Sequence, residues 1–160
     1  MKKIFIDLDM CDSCESREVC EAQCSYPYHP DNDGITSLRE LAAYAVICRR
    51  CESGNCLVAC PKEALEKDAD GILRRYNLRC ISCKSCSLAC PFGTIYPELV
   101  PYAVSRCDYC IERLASGEEP LCVKTCPYGA IKYIDIEADE EQNLHAVGNN
   151  LVVKCEVWKR

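Results

Sequence analysis

Residues 80–91 read Cys80-Ile81-Ser82-Cys83-Lys84-Ser85-Cys86-Ser87-Leu88-Ala89-Cys90-Pro91. Three cysteines fall within seven residues, a fourth follows, and proline closes the run. Working outward, the arrangement recurs. Cys48, Cys51, Cys56 and Cys60 stand upstream with Pro61 behind them, and Cys107, Cys110, Cys122 and Cys126 stand downstream with Pro127 behind them. Cys11, Cys14, Cys20 and Cys24 open the series, with Ser25 in the proline position. Every group begins CxxC and ends CxxxC, so the chain is an internal repeat. Of the 17 cysteines only Cys155 lies outside the four groups.

Leu, Ile, Val and Phe supply 36 of the 160 residues, a thin core for a chain of this length. A domain so built needs disulfides or metal to hold it. The opening Met1-Lys2-Lys3-Ile4-Phe5-Ile6-Asp7-Leu8-Asp9 returns to charge before an apolar run of export-signal length. The Arg49-Arg50 and Arg74-Arg75 pairs lie deep in the chain, and no run approaches the ~18 apolar residues of a membrane span. The expected location is cytoplasmic, where thiols stay reduced and such cysteines bind metal.

A loop with three thiolates in seven residues can wrap three corners of a four-iron cubane. Its last cysteine then points along the following helix toward another site. The spacing CxxCxxCxxxCP is the bacterial ferredoxin run, whose fourth cysteine ligates the other cluster in two-cluster ferredoxins. Zinc also accepts four thiolates, but usually from two separated CxxC pairs; here the second half of each group is CxxxC, which fits zinc less well. The reversed order CxxxCxxC, the radical-generating arrangement, does not occur.

On these motifs the chain resembles the four-cluster, ferredoxin-like electron-transfer subunits found with DMSO reductase, formate dehydrogenase, formate hydrogenlyase and carbon monoxide dehydrogenase. The residues that carry the resemblance are Phe5-Ile6-Asp7 before the first CxxC, CRRCESGNCLVACPKEAL at 48–65, ACPFG at 89–93, and RCDYCIERLASGEEPLCVKTCPYGAI at 106–131. The first group departs from the pattern in its five residues between Cys14 and Cys20 and in Ser25. The resemblance implies an α+β fold of two interleaved bacterial-ferredoxin-like units, with short strands and helices around four [4Fe–4S] clusters. An outer unit would comprise residues 1–36 and 100–137, an inner unit 47–99, and a C-terminal strand extension 138–160. It further implies a nested ligand arrangement. The inner clusters would take Cys48, Cys51, Cys56 and Cys90, and Cys80, Cys83, Cys86 and Cys60. The outer clusters would take Cys11, Cys14, Cys20 and Cys126, and Cys107, Cys110, Cys122 and Cys24. The sequential alternative pairs group one with two and three with four.

Between the groups, Ser37-x-x-Glu40 reads as a capping box opening a helix over 37–50, with Leu38, Leu41, Ala42, Ala45 and Val46 on one face. Strands are expected at 3–7, 131–136 and 151–158, and a helical turn plus hairpin between Cys60 and Cys80. Period-two alternation puts Leu151, Val153, Cys155 and Val157 on one face, making Cys155 a small inward-facing apolar residue. His29 and His145 read as surface or loop residues, His29 with a conceivable donor role beside the outer cluster. Tyr26, Tyr28, Tyr96, Tyr102, Tyr109 and Tyr128 would shield clusters from water.

The formal charge of −6 falls to roughly −14 once four clusters, each about −2 with its thiolates, are included. Such a chain repels nucleic acid. Arg49, Arg50, Lys62, Arg79, Lys84, Arg106 and Lys124 read either as local compensation of cluster charge or as solvated surface charges. There is no catalytic constellation and no nicotinamide or flavin fingerprint. The function expected is relay of single electrons, in anaerobic metabolism, between a catalytic subunit and a second electron-transfer protein. The catalytic subunit would be a hydrogenase, formate dehydrogenase, carbon monoxide dehydrogenase or tungsten aldehyde oxidoreductase. A freely diffusing polyferredoxin and a zinc-bound interaction scaffold are the alternatives.

Overall fold

The computed structural model describes residues 1–14, 20–25, 34–101 and 107–156. It is a mixed α+β structure with two small sheets. The larger sheet has strands β1 (Lys2–Asp7), β4 (Ile131–Asp135), β5 (Leu144–Val147) and β6 (Leu151–Lys154) in the order β4-β1-β6-β5. β1 runs antiparallel to β4, with Ile4 opposite Tyr133, and parallel to β6, with Ile6 opposite Val153. Both central strands are covered on two faces, so their apolar residues are consecutive rather than alternating: Ile4, Phe5 and Ile6 in β1 and Leu151, Val152 and Val153 in β6 are all buried. This corrects the period-two reading of the last strand, in which Val152 would face outward. Residues 157 and 158 of that reading lie outside the described residues; Cys155 is half-buried and packs on the core.

Among the described residues there are five α-helices: α1 (Leu8–Ser13), α2 (Gly34–Val46), α3 (Asn55–Val58), α4 (Ser85–Ala89) and α5 (Leu121–Thr125). α2 packs on β5 and β6, burying Ile35, Leu38, Ala42 and Ala45. It starts at least three residues before Ser37, and a separate 3₁₀ turn forms over Cys48–Arg50. Ser37 and Glu40 therefore cap nothing. Both are buried and satisfy distant backbone groups: the Cys107 amide donates to Ser37 Oγ at 3.0 Å, and the Tyr96 amide to Glu40 Oε1 at 3.1 Å. Tertiary demand for acceptors has overridden a local capping pattern.

The expected hairpin forms from β2 (Leu65–Lys67) and β3 (Leu73–Arg75). Asp68 shapes its turn by accepting from the amides of Asp70 and Ile72 at 3.0 and 2.9 Å. Gly71 completes it at φ +75°, where a Cβ would lie 3.2 Å from the Arg49 carbonyl oxygen. Among the described residues no helix is long and apolar enough to cross a membrane.

Candidate metal centre

The Cys-Pro pairs open one repeated turn. The amide of the residue three beyond the cysteine donates to its carbonyl: Glu63 to Cys60 at 3.3 Å, Gly93 to Cys90 at 3.4 Å, Gly129 to Cys126 at 3.3 Å. That residue has φ of 48°, 64° and 64° respectively, a left-handed conformation glycine adopts freely and glutamate does not. The residues that follow, Ala64, Thr94 and Ala130, are buried, so each turn directs the chain from its last cysteine into the core. Ser82, Lys84, Tyr109 and Cys110 also have positive φ. Such strain persists where surroundings over-determine it, as at functional sites.

These turns gather cysteines from different groups. Cys11, Cys14 and Cys20 share the wall of a cavity of about 360 Å³ with Cys126, together with Ile6, Arg39 and Tyr128. α1 delivers Cys11; Asp7 caps that helix by accepting from the Met10 amide and holds Lys154 at 2.8 Å. A second cavity is lined by Cys60 with Cys80, Cys83 and Cys86. Cys48 lies within electrostatic reach of Cys51, Cys56 and Cys90, and the Thr94 hydroxyl sits 3.3 Å from both Cys48 Sγ and Cys90 Sγ. Cys24 acts in the same way on Cys107, Cys110 and Cys122.

Burial governs the acidity of the inner-lying thiols. It pushes Cys11 and Cys48 up to about 11, and Cys107 and Cys122 up to about 12, with neighbouring cysteines adding to the effect. At exposed rims the direction reverses. Ser53 against Cys51, and Ser85 against Cys83, hold those thiols below the usual range. Buried thiols at such values are neutral at pH 7 and ionise only against a strongly positive partner, so loading must release protons.

The donor set fits iron–sulfur clusters: soft sulfurs from different cysteine groups gathered along shared walls, amides turned toward them, and apolar surroundings. The Ala64 amide donates to Cys60 Sγ at 3.2 Å, an example of the bonds that tune such sulfurs. A lone zinc ion needs its four ligands about 2.3 Å from a common centre. Among the described residues no three His, Cys, Asp or Glu side chains converge that closely on one metal ion.

The structure also sets a basic residue against each set of sulfurs. Arg39 faces Cys11, Lys67 donates to the Cys51 carbonyl, Arg75 acts on Cys86, and Arg113 Nη2 lies 3.6 Å from Cys110 Sγ. None of these was singled out by proximity in sequence. Of those that were, Arg49 spends its guanidinium on the carbonyls of Asp70 and Ala146 at 3.1 and 2.6 Å. Arg79 reaches the Glu63 carbonyl and stacks over Tyr76, Lys124 is exposed, and Lys62 and Lys84 line the Cys60 cavity. Arg106, His29, Tyr26, Tyr28 and Tyr102 lie outside the described residues. His145 is corrected: it is a buried residue of β5, 3% exposed.

The family model of the 4Fe-4S dicluster domain matches residues 39–136. A probable anaerobic dimethyl sulfoxide reductase chain, YnfG of Escherichia coli K12, is 29% identical over 152 residues, covering 83% of this chain and 73% of its own. An iron-sulfur protein of Rhodospirillum rubrum is 31% identical over 161 residues, covering 84% and 83%. The thiosulfate reductase electron transfer subunit PhsB of Salmonella typhi is 37% identical over 98 residues, covering 61% and 51%. With more than half its length matched, and the cysteine chemistry in agreement, this protein belongs to the 4Fe-4S dicluster domain family and is a [4Fe–4S] protein.

Proposed function

We propose that the chain holds four [4Fe–4S] clusters and relays single electrons between a catalytic oxidoreductase subunit and a second redox partner. The ligand sets are Cys11, Cys14, Cys20 and Cys126; Cys24, Cys107, Cys110 and Cys122; Cys48, Cys51, Cys56 and Cys90; and Cys60, Cys80, Cys83 and Cys86. Each combines three cysteines of one group with the last of another, as in interleaved two-cluster units. The cavity shared by three cysteines of the first group and the last of the fourth is the observation that carries this reading. Bound clusters supply one-electron chemistry; the chain's residues fix, shield and electrostatically bias them.

The relatives' names, dimethyl sulfoxide reductase and thiosulfate reductase, favour a terminal reductase as the catalytic partner over the hydrogen, formate, carbon monoxide or aldehyde oxidations expected from sequence. The proposed location is cytoplasmic. Anaerobic purification with co-purifying proteins tests the proposal. The expected result is a brown, stoichiometric complex with about sixteen irons per polypeptide that bleaches with dithionite. A colourless zinc protein overturns the cluster reading, and a lone brown monomer replaces the subunit role with that of a diffusing polyferredoxin.

A further inference from the structure

The two outer cysteine sets differ in the charge and the dryness of their walls. Arg39, half-buried on α2, lines the cavity of Cys11, Cys14, Cys20 and Cys126. No carboxylate among the described residues lies within ion-pair distance of it. The acidic groups nearby are Asp7, already held by Lys154 at 2.8 Å, and Glu21, which is exposed. At the set of Cys24, Cys107, Cys110 and Cys122 the cation is Arg113, and it is committed. Its Nε and Nη2 each donate to Asp108 at 2.9 Å and Nη1 donates to the Ser25 carbonyl at 3.1 Å; Nη2 also reaches Cys110 Sγ at 3.6 Å, but the paired Asp108 carboxylate offsets most of the guanidinium's charge at that site. Burial there is also deeper: Cys122 is buried and no cysteine of that set is exposed, whereas Cys20 of the other set is exposed and none of its cysteines is fully buried.

Taking up one electron adds one negative charge to a site that is already anionic. A guanidinium in the wall that no carboxylate among the described residues neutralises lowers the cost of that charge, and a more buried wall whose cation is paired raises it. We infer that the two outer sites are poised at unequal reduction potentials, and that Arg39 is the residue that makes the Cys11, Cys14, Cys20 and Cys126 site the more easily reduced. The inference rests on the four-cluster reading. Arg39 is a positioning charge, not an electron carrier. It biases where an electron entering this chain comes to rest.

The test is a dithionite titration of the loaded protein, in its native complex where one forms, followed by electron paramagnetic resonance. Arg39→Gln is expected to lower the reduced-to-oxidised ratio of one couple about tenfold at fixed potential, which is about 59 mV for a one-electron couple. Arg39→Lys restores most of the ratio. Glu21→Gln, an exposed substitution that should fold whatever Arg39→Gln does, moves the same couple the other way. Arg113→Gln, which leaves Asp108 uncompensated, lowers a different couple that lies below the first in the wild type. Couples unmoved by Arg39→Gln and Glu21→Gln, or moved in the reverse order, overturn the inference while about sixteen irons per polypeptide leave the four-cluster reading standing. A wild-type iron content far below that overturns both.

Discussion

Ser37, in the first turn of α2, joins that helix to the fourth cysteine group, and replacing it separates a capping role from the one the structure assigns. At an N-cap, Ser37→Gly would cost only a few tenths of a kcal/mol. Residue 37 is instead inside the helix, 1% exposed, with its Oγ accepting from the Cys107 amide at 3.0 Å. Glycine removes that acceptor from a partly buried amide, a loss of about 1–3 kcal/mol. It adds roughly 0.5 kcal/mol for its poorer fit to a helix interior than serine. The total is about 2 kcal/mol, and Ser37→Ala, which favours the helix, should cost about 1 kcal/mol less. Cluster loss makes equilibrium unfolding irreversible, so the assay is the rate at which visible absorbance decays anaerobically in fixed denaturant. If the bond is broken in the limiting opening, about 2 kcal/mol accelerates decay roughly 30-fold. A decay rate for Ser37→Gly within twofold of wild type, or one no faster than that of Ser37→Ala, would refute the tie to Cys107.

Glu63→Gly should slow the same decay, by about 0.5–1 kcal/mol, because it relieves a left-handed residue at a position where the two sister turns already carry glycine; an acceleration would count against the shared turn. Leu38→Ala, at a side chain with no exposure, should cost about 2–5 kcal/mol, read as lost soluble holoprotein on anaerobic expression; full yield and wild-type decay would contradict the packing of α2 on the sheet. His145 is held below its ordinary value of 6.5 by burial, then by Arg50 and Arg49. The unfolded state therefore takes up the proton first: stability is complete above pH 6.5 and falls as pH drops through that value toward the folded-state value. His145→Gln should flatten this acid limb of the decay profile, and an unchanged limb would locate the titration elsewhere. Asp7→Asn should leave iron content intact yet speed decay less than Asp7→Ala, which loses the α1 cap worth about 1 kcal/mol; equal rates would deny the cap a role in holding Cys11.

The cysteine groups were legible because their chemistry is written locally, in spacing, and β1, β4 and the β2–β3 hairpin because short apolar runs between turn signals fit few other states. β5 was not legible. Leu144–Val147 is four residues long, and it becomes a strand only because β6 offers a partner for it. The basic residues beside the sulfurs were hidden for a related reason. Arg49 adjoins Cys48 in sequence yet turns to backbone carbonyls, whereas Arg39 reaches Cys11 from a different element. Adjacency finds Lys62 and Lys84, which line the Cys60 cavity, but not Arg39 and Arg75, which act on Cys11 and Cys86 from other elements; that part of the compensation belongs to the assembled cavity. The Ser37-x-x-Glu40 pattern misleads in the same way, since its polar atoms serve Cys107 and Tyr96, 70 and 56 residues away.

The pairing of β1 with β6, whose partners Ile4 and Leu151 stand far apart in the sequence, dictates a timetable for biogenesis. On the proposed ligand sets, the segment from Cys48 to Cys90 emerges carrying every sulfur of its two sites, whereas α1 lacks the β6 side of its anchoring sheet until residues 151–154 have cleared the exit tunnel. Maturation machinery would then meet the inner pair of sites as nascent-chain substrates and the Cys11 site only late in synthesis. On the proposed ligand sets, a truncation just ahead of residue 151 would loosen the Cys11 site while leaving the other three sites their cysteines.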